Sequence, residues 1–173
     1  MRGKIVAILI AVPVSLAGWG LLSVVRRPPI PERALTECDQ PLPGGVPDLR
    51  GHWRLTHSEN VRSFLIDSAG VSSWRAMLVE LRLHINYVER IEQCDLRGAV
   101  TDNRDRSWTV QVFSLEESAS SPAAAVLEDG KLVLQVDGRG RHFVVERELV
   151  DDELQVTTHA PGEGSPMRLF LRR

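Results

Sequence analysis

The chain has little aromatic character, almost no lysine and only two cysteines. Its 173 residues include 4 Trp, 4 Phe and 1 Tyr. Cys38 and Cys94 permit one disulfide and lack metal-ligand spacing. The histidines, at 52, 57, 84, 142 and 159, show no i,i+4 pairing and no cysteine partner, which argues against a bound metal. No Gly-x-Ser-x-Gly and no phosphate-binding glycine loop occurs. Asp102-Asn103-Arg104-Asp105 is too short for a calcium loop, and Glu116-Glu117 and Asp151-Asp152-Glu153 read as solvated turns. Cys94 has no base near it in sequence. These absences point away from an enzyme and from any cofactor. Arginine supplies 19 of the 21 basic residues, a pattern read first as coding bias. From Asp48 onward the chain carries 16 basic and 20 acidic residues, which gives no reason to expect nucleic acid as a partner.

What the chain does have begins with one long apolar run. Ile5 to Val25 contains no charge, is preceded by Arg2 and Lys4, and is stopped by Arg26-Arg27. As a helix it would span roughly 30 Å, the thickness of a bilayer core. Residues 1–27 therefore read as a membrane anchor or as a cleaved signal peptide, with Ser15-Leu16-Ala17 offering small residues for cleavage. Length favours the single-pass anchor; either way the chain enters or crosses a membrane. Outside the cytosol, a Cys38–Cys94 disulfide becomes plausible. Residues 28–47 hold Pro28, Pro29, Pro31, Pro41, Pro43 and Pro47 with Gly44-Gly45, the composition of a stiff, extended linker.

Residues 48–173 form one domain. Trp53 and Leu55 share a parity and suggest a first strand. Thr56 and Glu59 have the spacing of a capping box that would start a helix carrying Val61, Phe64 and Leu65 on one face. Val71, Trp74 and Leu78 suggest a second short helix, so the pair reads as a lid containing Phe64, Leu65 and Trp74. Period-two alternation follows at Leu81–Tyr87, Trp108–Val112, Leu132–Val136 and Leu154–Val156. Turn signals at Asp102-Asn103, Asp129-Gly130, Asp137-Gly138, Asp151-Asp152 and Pro161-Gly162 separate the runs. Short antiparallel strands at near-regular spacing suggest a meander closing into a barrel.

The most informative strand is Phe143-Val144-Val145-Glu146-Arg147-Glu148-Leu149. Phe143, Val145, Arg147 and Leu149 share one face, so a permanent cation stands on the apolar side. Either it pairs with a carboxylate on a neighbouring strand, or it waits in a cavity wall for an acidic ligand. On the last strand, Met167–Arg172, periodicity alone buries Leu169 and Leu171 and exposes Arg168, Phe170 and Arg172.

Both ends of the domain resemble the intracellular lipid-binding proteins, the fatty-acid- and retinoid-binding branch of the lipocalin-like barrels. The opening Gly51-x-Trp53-x-Leu55, Ser58-Glu59-Asn60 and Phe64-Leu65 is similar to theirs. So are Leu127-Glu128-Asp129-Gly130-Lys131-Leu132-Val133, Arg147-Glu148-Leu149-Val150-Asp151-Asp152-Glu153-Leu154, and the terminal Arg168-x-Phe170. Residues 80–125 match only in pattern. The resemblance implies a mainly β, ten-stranded antiparallel up-and-down barrel with a two-helix lid, preceded here by the N-terminal hydrophobic helix. It implies a water-containing cavity that takes a fatty acid or retinoid-like ligand without a covalent bond. It also implies that Arg147, Arg168 and Phe170 face that cavity, with the arginines on the ligand carboxylate and Phe170 lacking the hydroxyl of the family's tyrosine.

The sequence thus supports a monomeric carrier of a small hydrophobic carboxylate, tethered to or exported across a membrane. The alternative is a filled, ligand-free barrel serving as a membrane-anchored interaction module. The inward volume and the partner of Arg147 separate the two.

Overall fold

The computed structural model describes residues 41–173 except 95–96, 104–107, 116–124, 139–140 and 163, and gives the backbone alone for residues 125–128, 137–138 and 141. Among the described residues nine strands form one antiparallel sheet: β1 (Gly51–Glu59), β2 (Val88–Cys94), β3 (Arg97–Asp102), β4 (Thr109–Ser114), β5 (Ala125–Glu128), β6 (Lys131–Gly138), β7 (Arg141–Val150), β8 (Glu153–His159) and β9 (Met167–Arg172). Their order is β4-β3-β2-β1-β9-β8-β7-β6-β5, so pairing of β1 with β9 wraps the meander into a nearly closed barrel. Nine strands are described where ten were expected, and residues 116–124, between β4 and β5, lie outside the described part. So do the apolar run Ile5–Val25 and residues 28–40 of the linker. Residues 41–47 carry neither helix nor strand. Among the described residues no helix is long and apolar enough to cross a membrane.

Local chemistry accounts for the turns. Asp129-Gly130 and Asp151-Asp152 all take positive φ, at 50°, 79°, 49° and 64°. Such two-residue links match the right-handed twist of the strands they join. Asn60, at φ 56°, ends β1 and starts α1 (Val61–Ser63), which continues as a π-helical turn, Phe64–Ser68. The capping box expected at Thr56 and Glu59 is not formed, because β1 runs through Glu59. Thr56 instead lies at a register shift between Leu55 and His57, and its hydroxyl donates to the Phe170 carbonyl at 2.8 Å.

The second helix, α2, spans Ser73–Asn86 and absorbs the alternating stretch expected to be a strand. Ala76 and Leu83 are buried and Val79 packs against the core, a helical i, i+3, i+7 spacing that outweighs the period-two pattern. The helix end is held by Asn103, whose amide donates to the Asn86 carbonyl at 2.8 Å and whose Oδ1 accepts from Val88 N at 3.0 Å. A distant side chain thus satisfies a terminal carbonyl that would otherwise be unpaired.

Trp53 anchors the segment that leads into β1. Its Nε1 donates to the Leu49 carbonyl at 2.8 Å, Leu49 N donates to Gln93 Oε1 at 2.7 Å, and Gln93 Nε2 donates to the Pro47 carbonyl at 3.1 Å. Arg173 stacks over the indole, 4.7 Å from its centroid. On β4 the sequence suggested Trp108, Val110 and Val112 as the apolar face. The structure turns Phe113 inward and leaves Val110 and Val112 about half exposed.

Gly98 explains the choice of Phe113. A Cβ at Gly98 would stand 2.1 Å from Phe113 Cζ, and Phe113 is buried with nowhere to swing. Gly98→Ala is expected to destabilise the domain by about 1–3 kcal/mol, lowering Tm by roughly 4–12 °C. Thermal melts check this, and a second change, Phe113→Leu, is expected to recover most of the loss.

Candidate functional site

Arg147 points into the barrel. Its cross-strand neighbours are Leu132 and Val156, and all three are buried. Its Nε lies 2.6 Å from Glu89 Oε1 and its Nη2 3.5 Å from Glu89 Oε2, with both side chains almost wholly excluded from solvent. The Tyr87 hydroxyl donates to Glu89 Oε2 at 2.7 Å. The carboxylate therefore accepts from both the guanidinium and the phenol. Arg147 Nη1 is different: it is buried and has no hydrogen-bond partner. The structure pairs this cation with a carboxylate, but on β2 across the barrel and not on a neighbouring strand as expected, and Nη1 is left without a partner.

Glu89, on β2 just past the run Leu81–Tyr87, is not among the residues that the sequence singles out. The signal was present. Glu89 shares its parity with Ile91, so it too is a charge on an apolar face. Two opposite charges on two inward faces call for one another.

Arg168 and Phe170 do not join this site. Met167, Leu169 and Leu171 are buried inside the barrel, at 4%, 0% and 0% exposure, which turns the alternate residues outward. Burying each apolar side chain contributes about 1.5–3 kcal/mol, so the strand's own periodicity prevails over the orientation that the resemblance implies. The register shift at Thr56 matches β1 to this choice by turning His57 and Glu59 outward. Phe170 stacks on His57, ring centroids 3.9 Å apart, and Arg168 Nη1 lies 3.4 Å from Glu59 Oε2 at half-exposed side chains.

The lid residues divide similarly. Phe64 is buried with its ring 6.0 Å from that of Phe143 on β7, and Leu65 packs against the core. Trp74 is 59% exposed and lies under the Arg75 guanidinium. It heads an outward stripe with Met77, Leu78, Leu81 and Ile85, all 40% exposed or more. Cys94 is disulfide-bonded, and the chain's other cysteine, Cys38, lies outside the described residues.

The inner wall around Arg147 is packed. Leu132, Leu134, Leu154, Val156, Leu169 and Leu171 each have 0% exposure, so none borders a water-sized hollow. Partly exposed apolar side chains gather instead toward the helices, at Leu65, Val79, Val136 and Phe143. The water-containing cavity that the resemblance implies is absent at these described positions of the wall.

No protein-family model matches the chain, and no curated protein matches it in sequence. Solved structures do match in shape. Apo lipid binding protein 8 of Caenorhabditis elegans is similar at TM-score 0.56 and 17% identity, over 72% of this chain and 94% of that one. The fluorescent protein UnaG gives 0.56 and 19%, over 72% and 96%, and the brain fatty acid-binding protein of Drosophila melanogaster 0.53 and 16%, over 71% and 97%. The fold is that of the intracellular lipid-binding proteins. Within this fold the chain turns the Arg147 guanidinium inward, where Glu89 engages it.

The outer face of β6–β9 carries a polar cleft of about 210 Å³ lined by Lys131, Glu146, Glu148, His159 and Arg168, among others. Lys131 Nζ lies 2.6 Å from Glu148 Oε2, and this hydrogen bond raises the lysine pKa above its ordinary value. The resulting stabilisation is present below the ordinary lysine range and is lost as pH rises past the raised value. These charges pair among themselves on an open surface and act as a solvated face.

Arg147 and Arg168 should therefore behave oppositely. Arg147→Met leaves Glu89 buried without its cation and is expected to cost about 3–5 kcal/mol. Arg168→Met is expected to stay within about 1 kcal/mol, as for an exposed pair. Urea denaturation of the two variants measures both.

Proposed function

We propose that the domain binds one small amphiphile without a covalent bond. The tail lies under the helices and the head reaches Arg147. The observation that carries this reading is Arg147 Nη1, a buried donor with no partner. Leaving such a group unpaired costs on the order of 1–3 kcal/mol, and an acceptor brought by a ligand would recover it. The half-buried Leu65, Val79, Val136 and Phe143 pack against the core and would part to admit the tail. Phe143 precedes Arg147 by four residues on one strand, roughly 13 Å, which suits a chain of about ten carbons. The fold supports the reading as well, since two of the similar structures are by name lipid- or fatty acid-binding proteins.

Location belongs to the same proposal. The apolar run Ile5–Val25 would carry the chain into or across a membrane, and the disulfide at Cys94 fits an oxidising compartment. The domain would then act outside the cytosol, tethered or exported.

A second reading is the filled barrel acting as an interaction module. The zero exposure of the inner leucines favours it, and so does the stripe Trp74, Met77, Leu78, Leu81 and Ile85, a patch suited to an apolar protein partner. Ligand binding separates the two. Burying about ten methylenes at about 0.8 kcal/mol each gives a Kd on the order of 1 μM before ordering costs. Native mass spectrometry of the purified protein, incubated with C12–C18 acids, alcohols and amides, is expected to show a single 1:1 adduct. No adduct with any of them would leave the interaction module as the function.

A further inference from the structure

A second buried polar atom stands near Arg147 on the inner wall. Thr158 continues the inward row Leu154, Val156, Thr158 of β8. It is 3% exposed, its cross-strand neighbours are the buried Val145 and Met167, and its Oγ1 has no hydrogen-bond partner. A buried hydroxyl without a partner is costly, and valine, of almost the same shape, would avoid that cost. The register fixes its place. Val145 pairs with Thr158 and Arg147 pairs with Val156, so Thr158 lies one inward step from Arg147, on the side of Phe143 and Phe64. That step is two residues of strand, roughly 7 Å. A tail running from Phe143 down to Arg147 therefore passes Thr158 about midway.

We propose that the site takes an oxygenated long-chain amphiphile. One oxygen, in the head, meets Arg147 Nη1; a second, a hydroxyl or carbonyl about five carbons further along, meets Thr158. This rests on the ligand-binding reading above and narrows it. Thr158 determines specificity because the wall around it is indifferent to position along a chain. Leu134, Val145, Val156 and Met167 are all apolar and buried, and they hold any methylene equally well. A threonine hydroxyl both donates and accepts, so it suits a ligand hydroxyl or carbonyl at one place only. A plain alkyl chain leaves that hydroxyl unpaired in the complex. An oxygen carried beyond Phe143 would be desolvated against the Phe64 and Phe143 rings.

The test titrates the full chain by calorimetry with three acids of the same head and length: dodecanoate, 5-hydroxydodecanoate and 12-hydroxydodecanoate. The 5-hydroxy acid is expected to bind on the order of fivefold tighter than either of the others, the worth of one net hydrogen bond. In Thr158→Val that preference is expected to vanish. The same variant without ligand is expected to melt at a higher temperature than the wild type, since it removes a buried hydroxyl that has no partner. Equal affinity for dodecanoate and the 5-hydroxy acid, or a preference that survives in Thr158→Val, overturns the assignment while ligand binding itself stands. The 12-hydroxy acid binding as tightly as the 5-hydroxy acid overturns the position of the second oxygen. A Thr158→Val that melts lower, or fails to fold, shows the hydroxyl already bonded within the protein and overturns the assignment as well. Binding of none of the three acids overturns this assignment and the ligand-binding reading together.

Discussion

The interior is organised by one buried ion pair. Arg147 on β7 and Glu89 on β2 meet across the barrel at 2.6 Å, from strands that are not neighbours in the sheet. Neither charge tolerates its site alone. An unpaired guanidinium or carboxylate in an apolar interior would cost several kcal/mol, so each fixes the other's strand. The pair thereby ties the β1–β4 half of the meander to the β5–β9 half through its middle. Around it the wall is leucine, valine and Trp53, and those side chains exclude the water that would otherwise screen the pair. The same exclusion makes the free Nη1 consequential: nothing in the surrounding leucine and valine side chains can satisfy it.

Much of this was legible in the chain. The meander, the two Asp-rich turns, the inward side of β6, β7 and β8, and the anomaly at Arg147 all follow from period-two patterning and turn chemistry. The fold was recognisable from short motifs at both ends of the domain. Three features were less accessible, each for a physical reason. The stretch Leu81–Tyr87 alternates like a strand yet continues α2, because Ala76, Val79 and Leu83 form a better buried stripe. Thr56 carries a register shift that turns His57 and Glu59 outward, and nothing in a local pattern announces such a shift. The last strand follows its own periodicity, so Arg168 and Phe170 lie outside although the resemblance placed them within. Glu89 lies just past the alternating run Leu81–Tyr87 and carries the parity of Ile91, but a single acid on a strand face does not reveal that its partner lies across the barrel.

The lipid-binding-protein fold is thus present with an unusual occupant. Its interior, at the described positions, holds an acid bonded to the inward arginine and closely packed leucines. Ligand binding in such a barrel requires Phe64 and Phe143, whose rings stand 6.0 Å apart beneath the helices, to part for an entering chain. The exposed stripe on α2 belongs to the same question, since a helix with apolar residues on both sides is poised between packing on its own barrel and meeting something outside.

The most direct test of the central claim is hydrogen exchange at the guanidinium of Arg147, followed by 15N NMR of the arginine side chains. The account predicts that the Arg147 Nε–H, held at 2.6 Å to a carboxylate that solvent does not reach, gives a separate, shifted resonance. It should persist far longer in D2O than the exposed Arg168 signal and disappear in Arg147→Met. An Arg147 resonance exchanging as fast as that of Arg168 would contradict the buried pair and the reasoning built on it.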